Sequence, residues 1–176
     1  MFRLTESTRL GEFERAVLPH LDAAYNLARF LMRNDQDAED VVDEASLRAF
    51  RFFEDFRGDN SRAWFLSIIR KTAFTVFQRH RSDETKVILD EGSHRPASPL
   101  PVAGAALGQA PDRETVRAAI EQLPAEFREA IILRELEGCS YKEIADIAGA
   151  PIGTIISRLS RARLQLQTLL SRSYGK

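Results

Sequence analysis

Apolar residues recur along most of this chain at intervals of three and four, the period of an amphipathic helix. Over residues 13–32, Val17, Leu21, Ala24, Ala28 and Leu31 share one stripe, and Pro19 is expected in an early turn or at a kink. The next helix is expected to be capped by Asp35 or Asp37, whose acids suit the positive end of the helix dipole. It turns Ala38, Val41, Val42, Ala45, Ala49, Phe52, Phe53 and Phe56 inward, and "FRGDNS" breaks it. A third helix, "RAWFLSIIRKTAFTVFQRHR", is rich in aromatics and bases.

The period fails between 82 and 111, where four prolines, three glycines and many small residues replace it. Such a stretch buries too little apolar surface to offset the entropy of ordering, so a mobile linker is expected. Helical patterning resumes with "DRETVRAAIEQL", which stops before Pro124. "PAEFREAIILRELEG" follows, with Pro124 near its first position and Gly138 as its stop. "SYKEIADIAGA" has Ser140 with Glu143 three residues on, the spacing of a capping box. After the turn "GAPIG", the last helix puts Ile155, Leu159, Ala162, Leu166 and Leu170 on one stripe. The fold class read from this pattern is all-α. Two small helical domains, residues 1–82 and 112–176, flank a flexible linker at 83–111, and the second contains a helix-turn-helix.

Composition narrows the picture by what it excludes. A net charge of −1 over 176 residues does not describe a general polyanion binder. The single cysteine, Cys139, rules out an internal disulfide and fits a reducing compartment. The N-terminus lacks the apolar core of a signal peptide, and no apolar run approaches the ~20 residues that span a bilayer. A cytoplasmic protein is expected. The near-neutral total hides segregation, however. Positions 35–44 hold six acids and no base; positions 62–81 hold five Lys or Arg and no acid; from 149 onward there are five bases and no acid. Separate acidic and basic surfaces suggest two kinds of partner.

The final helix carries the sharpest chemistry. A short capped helix, a brief turn and a basic helix form a helix-turn-helix, whose second helix enters the major groove of DNA. Ile156, Ser157, Ser160 and Arg161 lie opposite the apolar stripe and would face base edges. Thr154, Arg158 and Arg163 are placed to reach phosphates. An ordinary bundle helix with solvated arginines is the plainer alternative. On the third helix, Trp64, Phe65, Phe74 and Phe77 are interleaved with Arg70, Lys71, Arg79, His80 and Arg81. Aromatic platforms beside cations suit unstacked single-stranded bases, although the same aromatics would serve a core. Asp37, Asp40 and Glu44 share a helix face that could hold magnesium in a helical nucleotide hydrolase if another helix supplied more acids.

"DAEDVVDEASLRAF", "FRGDNSRAWFLSIIRK" and "LPAEFREAIILRELEGCSYKEIADIAGAPIGTIISRLSRAR", in this order with a linker between the last two, resemble regions two and four of bacterial sigma factors of the extracytoplasmic-function group, within the sigma-70 family. The resemblance covers about four-fifths of the chain. It implies a promoter-specificity subunit that binds core RNA polymerase and promoter DNA, is not an enzyme, and uses no cofactor. By position, Asp40, Asp43, Glu44, Ser46 and Phe50 would meet the polymerase. Trp64, Ser67, Arg70, Lys71 and Phe74 would meet the melted −10 strand. Thr154, Ile156, Ser157, Arg158, Ser160, Arg161 and Arg163 would meet the −35 element. An anti-sigma factor is a further implied partner. Ser67 and Lys71 stand where the family usually has Arg and Asn, and Ile156 stands where Arg is frequent. An apolar Ile156 suits a thymine methyl. The alternative in another class is a helix-turn-helix regulator that acts without polymerase, which leaves the first domain without a task.

Overall fold

The computed structural model of the chain describes residues 6–88 and 111–174. Among the described residues every regular element is helical: α1 Glu6–Val17, α2 Leu21–Met32, α3 Asp35–Phe52 and α4 Ser61–Ile88 form the first domain. Helices α5 Arg113–Glu121, α6 Ala125–Ile131, α7 Tyr141–Ala148 and α8 Ile152–Tyr174 form the second. Pro19 lies in a 3-10 turn, Leu18–His20, that separates α1 from α2. Its missing N–H and fixed φ end one helix and start the next. Helix α2 ends on Arg33, which takes the left-handed conformation with φ 61° and donates its N–H to the Arg29 carbonyl at 2.9 Å.

The cap of α3 is one residue earlier than the acids suggest. Asn34 accepts the Asp37 N–H at 3.0 Å, leaving Asp35 and Asp37 in the first turn, where the helix dipole favours them. Ala38, Val41, Ala45 and Ala49 are buried as the periodicity requires. Phe52 is a correction to the expected core, because it is 53 % exposed. Phe52 is the last residue of the helix, and a 3-10 turn, Phe53–Asp55, follows it. Phe53 packs edge-on against Phe13, with ring centroids 5.5 Å apart. Helix α4 also outruns its expected end at Arg81 and continues to Ile88. Positions 82–91 contain no proline or glycine, so nothing in positions 82–88 breaks the helix. The rest of the expected linker, residues 89–110, lies outside the described residues.

In the second domain Pro124 precedes α6 as its cap and does not occupy its first turn. Helix α6 continues into a π-helical turn, Ile132–Leu136, which ends at Gly138 with φ 64°. The capping box is present: Ser140 Oγ accepts the Glu143 N–H at 3.1 Å, and Glu143 accepts the Ser140 N–H at 2.7 Å. Gly149, with φ 63°, closes α7 in a conformation that glycine adopts without strain. Ile155, Leu159 and Ala162 of α8 are at most 1 % exposed and pack in one core with Ile144, Ala145 and Ala148 of α7. This is the helix-turn-helix read from the pattern.

The two domains pack against each other. Helix α4 of the first lies on α7 of the second, and α2 lies on α6. The mobile linker expected from the sequence leaves the domains free to move independently unless an interface holds them. This structure contains such an interface, and ion pairs and hydrogen bonds cross it beside apolar packing.

Candidate promoter and polymerase surfaces

The acidic helix α3 divides into two faces. Asp40 and Asp43 are exposed, while Glu44, Ser46 and Phe50 are half-buried. Glu44 forms an ion pair with Arg48 one turn on and another with Arg79 of α4 at 3.5 Å. Phe50 is held edge-on by Phe13 at 5.1 Å and covered by the Arg9 guanidinium at 4.8 Å. Sequence reasoning missed Leu47, which is 69 % exposed and follows Asp40 and Asp43 at helical spacing. An apolar side chain amid acids on a solvent face is a contact candidate, and the helical period alone shows where it points. Among the described residues no group of three His, Cys, Asp or Glu side chains converges as a metal site would require.

On α4, Trp64, Ser67, Lys71 and Phe74 succeed one another by three or four positions and so share a face. Trp64 is half-buried against Phe56 at 4.7 Å and Phe53 at 6.2 Å. Ser67 Oγ donates to the Trp64 carbonyl at 2.6 Å, so its hydroxyl is turned into its own helix. Lys71 is exposed. Arg70 stacks over Phe74 at 4.8 Å and forms an ion pair with Glu129 of α6. Phe65 is fully buried, which makes it core. Asn60 caps α4 by accepting the Ala63 N–H at 2.9 Å. The first turn of α4 therefore starts at the very segment "FRGDNS" that interrupts the pattern.

On α8, Ile156, Ser157, Ser160 and Arg161 are exposed and Thr154 is half-buried. Arg161 has no ion-pair or hydrogen-bond partner among the described residues, whereas the other two front arginines are held. Arg158 pairs with Glu126 at 3.3 Å, and Arg163 pairs with Glu135 at 2.6 Å. Hydrogen bonds from Arg163 to Glu135 and Tyr141 raise its already high pKa. Two more arginines are structural. Arg128 is buried and donates to the Glu121 and Leu123 carbonyls at 3.1 and 2.8 Å, which joins α5 to α6. Arg134 donates to the Cys139 carbonyl at 2.9 Å and stacks on Tyr141 at 4.8 Å, which fixes the turn before the helix-turn-helix. Sequence reasoning had no signal for these two, because the carbonyls they serve become neighbours only after folding.

The domain interface centres on Glu143. Besides capping α7, its carboxylate accepts from Asn60 Nδ2 at 2.8 Å and from Arg62 at 3.0 Å. The first turns of α4 and α7, both positive ends of helices, thus share one carboxylate. Desolvation works to raise its pKa, but the bonds from Ser140, Asn60 and Arg62 together outweigh it and lower it to about 2. Arg62 also donates to the Glu137 carbonyl at 3.0 Å, Asn26 donates to the Glu137 carboxylate at 2.9 Å, and Arg29 pairs with Glu121 at 3.2 Å. Glu129 is 1 % exposed; burial raises its pKa, and Arg70 and Arg158 oppose that rise. Cys139 lies buried nearby, and desolvation pushes its thiol up to about 11, so it is a poor nucleophile at neutral pH.

The depressed Glu143 pKa implies an acid-sensitive interface. A carboxyl lowered on folding stabilises the folded state fully above its unfolded value, near 4.5, and ceases to do so as pH falls towards 2. At ~1.36 kcal/mol per unit, this contributes up to about 3 kcal/mol at neutral pH, less what solvent screens. The stability difference between wild type and Glu143→Gln should therefore shrink between pH 5 and pH 2, as followed by denaturant unfolding; a constant difference over that range would remove Glu143 as the titrating group.

These faces, an acidic helix, a basic aromatic helix and a helix-turn-helix, occur in an order that known proteins share. The model for "Sigma-70 region 2" matches residues 16–82, and the model for "Sigma-70, region 4" matches residues 113–166. The chain belongs to the sigma-70 family, in its extracytoplasmic-function group, the promoter-specificity subunits of RNA polymerase. It is 32 % identical over 172 residues to the RNA polymerase sigma-H factor of Pseudomonas aeruginosa, covering 92 % of this chain and 89 % of that one. It is 37 % identical over 140 residues to the ECF RNA polymerase sigma-E factor of Escherichia coli, covering 72 % and 70 %. It is 30 % identical to the ECF RNA polymerase sigma factor SigE of Mycolicibacterium smegmatis; the match takes in 95 % of this chain but only 65 % of that protein's length. Among solved structures, the sigma factor RpoE in complex with the anti-sigma factor NepR, from Bartonella quintana, superposes with a TM-score of 0.72 at 34 % identity over 91 % of this chain and 97 % of that one. No helix among the described residues is long and apolar enough to cross a membrane.

Proposed function

We propose that the chain works in the cytoplasm by binding and not by catalysis. In this reading α3 docks on core polymerase, α4 takes the melted −10 strand, and α8 reads the −35 element. The observation that carries it is the placement of three chemically distinct faces on three separate helices: exposed Asp40, Asp43 and Leu47 on α3, the Trp64–Lys71 face on α4, and exposed Ile156, Ser157, Ser160 and Arg161 on α8. The first turn of α8 holds no acid, so its free N–H groups favour a phosphate. In holoenzyme, Thr154, Arg158 and Arg163 are read as backbone contacts, the two arginines exchanging their present carboxylates for phosphates. The Bartonella quintana sigma factor is held by an anti-sigma factor, and a partner of that class is proposed here too.

Reconstitution with core polymerase tests the reading. The chain should co-purify with core enzyme and footprint promoters only in its company; a footprint at equal affinity without polymerase would make it an independent helix-turn-helix regulator. Asp43→Ala with Leu47→Ala should weaken assembly by about 1–3 kcal/mol, the cost of losing an apolar anchor and its flanking charge. The helical circular-dichroism spectrum should not change, because both side chains face solvent. Undiminished assembly would take this stripe out of the interface.

A further inference from the structure

The arginines of α4 are occupied in a way that the strand-binding reading does not require. Arg62 and Arg70 lie eight positions apart on α4, about 12 Å along the axis. Each meets a carboxylate from the second domain. Arg62 is gripped by Glu143 through both oxygens, at 3.0 and 3.2 Å. Arg70 meets Glu129, which is 1 % exposed and whose two oxygens have no hydrogen-bond donor besides the Arg70 ion pair. Burial raises the Glu129 pKa, and the charges of Arg70 and Arg158 oppose that rise and favour its carboxylate form. The second domain therefore presents two anions to α4, each aimed at a guanidinium on the helix that carries the Trp64–Lys71 face. Guanidinium groups receive a carboxylate and a phosphate with the same forked donor geometry.

We propose that Glu143 and Glu129 stand in for two DNA backbone phosphates, and that Arg62 and Arg70 bind those phosphates once the domains part. Closure of the domains and capture of the strand then compete for the same pair of arginines. Asn60, the cap of α4, is taken up by the same carboxylate as Arg62, so the entry end of the helix is occupied as well. In this arrangement the free chain is poor at holding single-stranded DNA. Polymerase relieves the competition by holding the domains apart. The proposal rests on the reading of α4 as the −10 strand element, and adds Arg62 to the residues named for it.

The test uses the full chain and a labelled single-stranded DNA 12-mer of mixed sequence, since phosphate contacts are sequence-independent. Glu129→Gln with Glu143→Gln removes both charges without changing shape, and glutamine still serves a capping box. Domain separation is followed by energy transfer between dyes at Arg51→Cys and Gln167→Cys, Cys139 being buried. The double Gln variant should open, bind the 12-mer roughly tenfold more tightly at low salt, and steepen the salt dependence by about 1.4 in log–log slope, the counterion release of two phosphates. In the charge swap Arg62→Glu, Glu143→Arg, closure should return to near wild type without any gain in DNA affinity. The proposal is overturned if the Gln variant stays closed, or if it opens with unchanged affinity and slope. Holoenzyme carrying Arg62→Ala and Arg70→Ala separates the two readings on promoter DNA recovered with wild-type holoenzyme. Normal promoter opening by that variant would sink the strand-binding role of α4 and the proposal with it. Opening that fails without both arginines, together with a free Gln variant that behaves as wild type, overturns the proposal alone.

Discussion

Replacing Leu159 by alanine is expected to cost the chain about 2–5 kcal/mol of stability, and with it −35 recognition at any temperature near the transition. Leu159 is 1 % exposed and sits between Ile155 and Ala162 on the apolar stripe of α8, in the same core as Ile144, Ile147 and Leu133. Truncation leaves a void where the recognition helix is docked on α7. The two glycine-closed turns and the capping box fix the neighbouring backbone, so the site has little freedom to collapse. Leu164 supplies the internal control, being the same residue type, five positions on, and 65 % exposed. Leu164→Ala should stay within about 0.5 kcal/mol of wild type. Denaturant unfolding of the two variants gives the comparison. Similar losses from both would mean that α8 is docked in another rotation, and the assignment of its reading face would fall with it.

That rotation was legible in the sequence because one long-range demand, burial of a stripe, fixes every position of a helix at once. The cap at Ser140 was readable for a related reason: its partner is three residues away. Where the period itself changes, the reading fails. Phe52 is exposed at the end of α3, where a 3-10 turn takes over, and that turn and the π-helical turn after α6 are invisible to a scheme that assumes 3.6 residues per turn. The candidate site was half legible. Exposed Asp40, Asp43, Lys71 and Arg161 follow from helical faces. Side-chain pairing does not. Arg62 with Glu143, Arg70 with Glu129 and Arg29 with Glu121 join residues far apart in sequence, and no local rule links them. The charge segregation along the chain, acids at 35–44, bases at 62–81 and bases again from 149, pointed to external partners. Part of that complementarity is met inside the chain, between its own domains.

Arg161→Ala is expected to weaken binding of holoenzyme to its −35 element by about 1–3 kcal/mol and to relax base preference there, the cost of one bidentate base contact. The structure sharpens the contrast with its neighbours. Arg161 is exposed with no partner among the described residues, on the same face as Ser157 and Ser160, so its guanidinium enters a groove without breaking any existing bond. Arg158 and Arg163 must first leave Glu126 and Glu135. Arg158 is the more committed of the two: its side chain is 18 % exposed, and it also faces the buried Glu129 carboxylate. Arg158→Ala should therefore reduce stability as well as DNA affinity, and the loss of affinity should be equal on all sequences. Arg163→Ala breaks an exposed pair, worth at most about 1 kcal/mol, so its effect should fall on DNA binding alone, again without sequence preference. Competition among −35 variants in a selected library, beside unfolding curves for the three proteins, measures all of this together. If Arg161→Ala lowered affinity for every −35 sequence alike, Arg161 would be a phosphate contact, and base reading on α8 would rest with Ile156, Ser157 and Ser160.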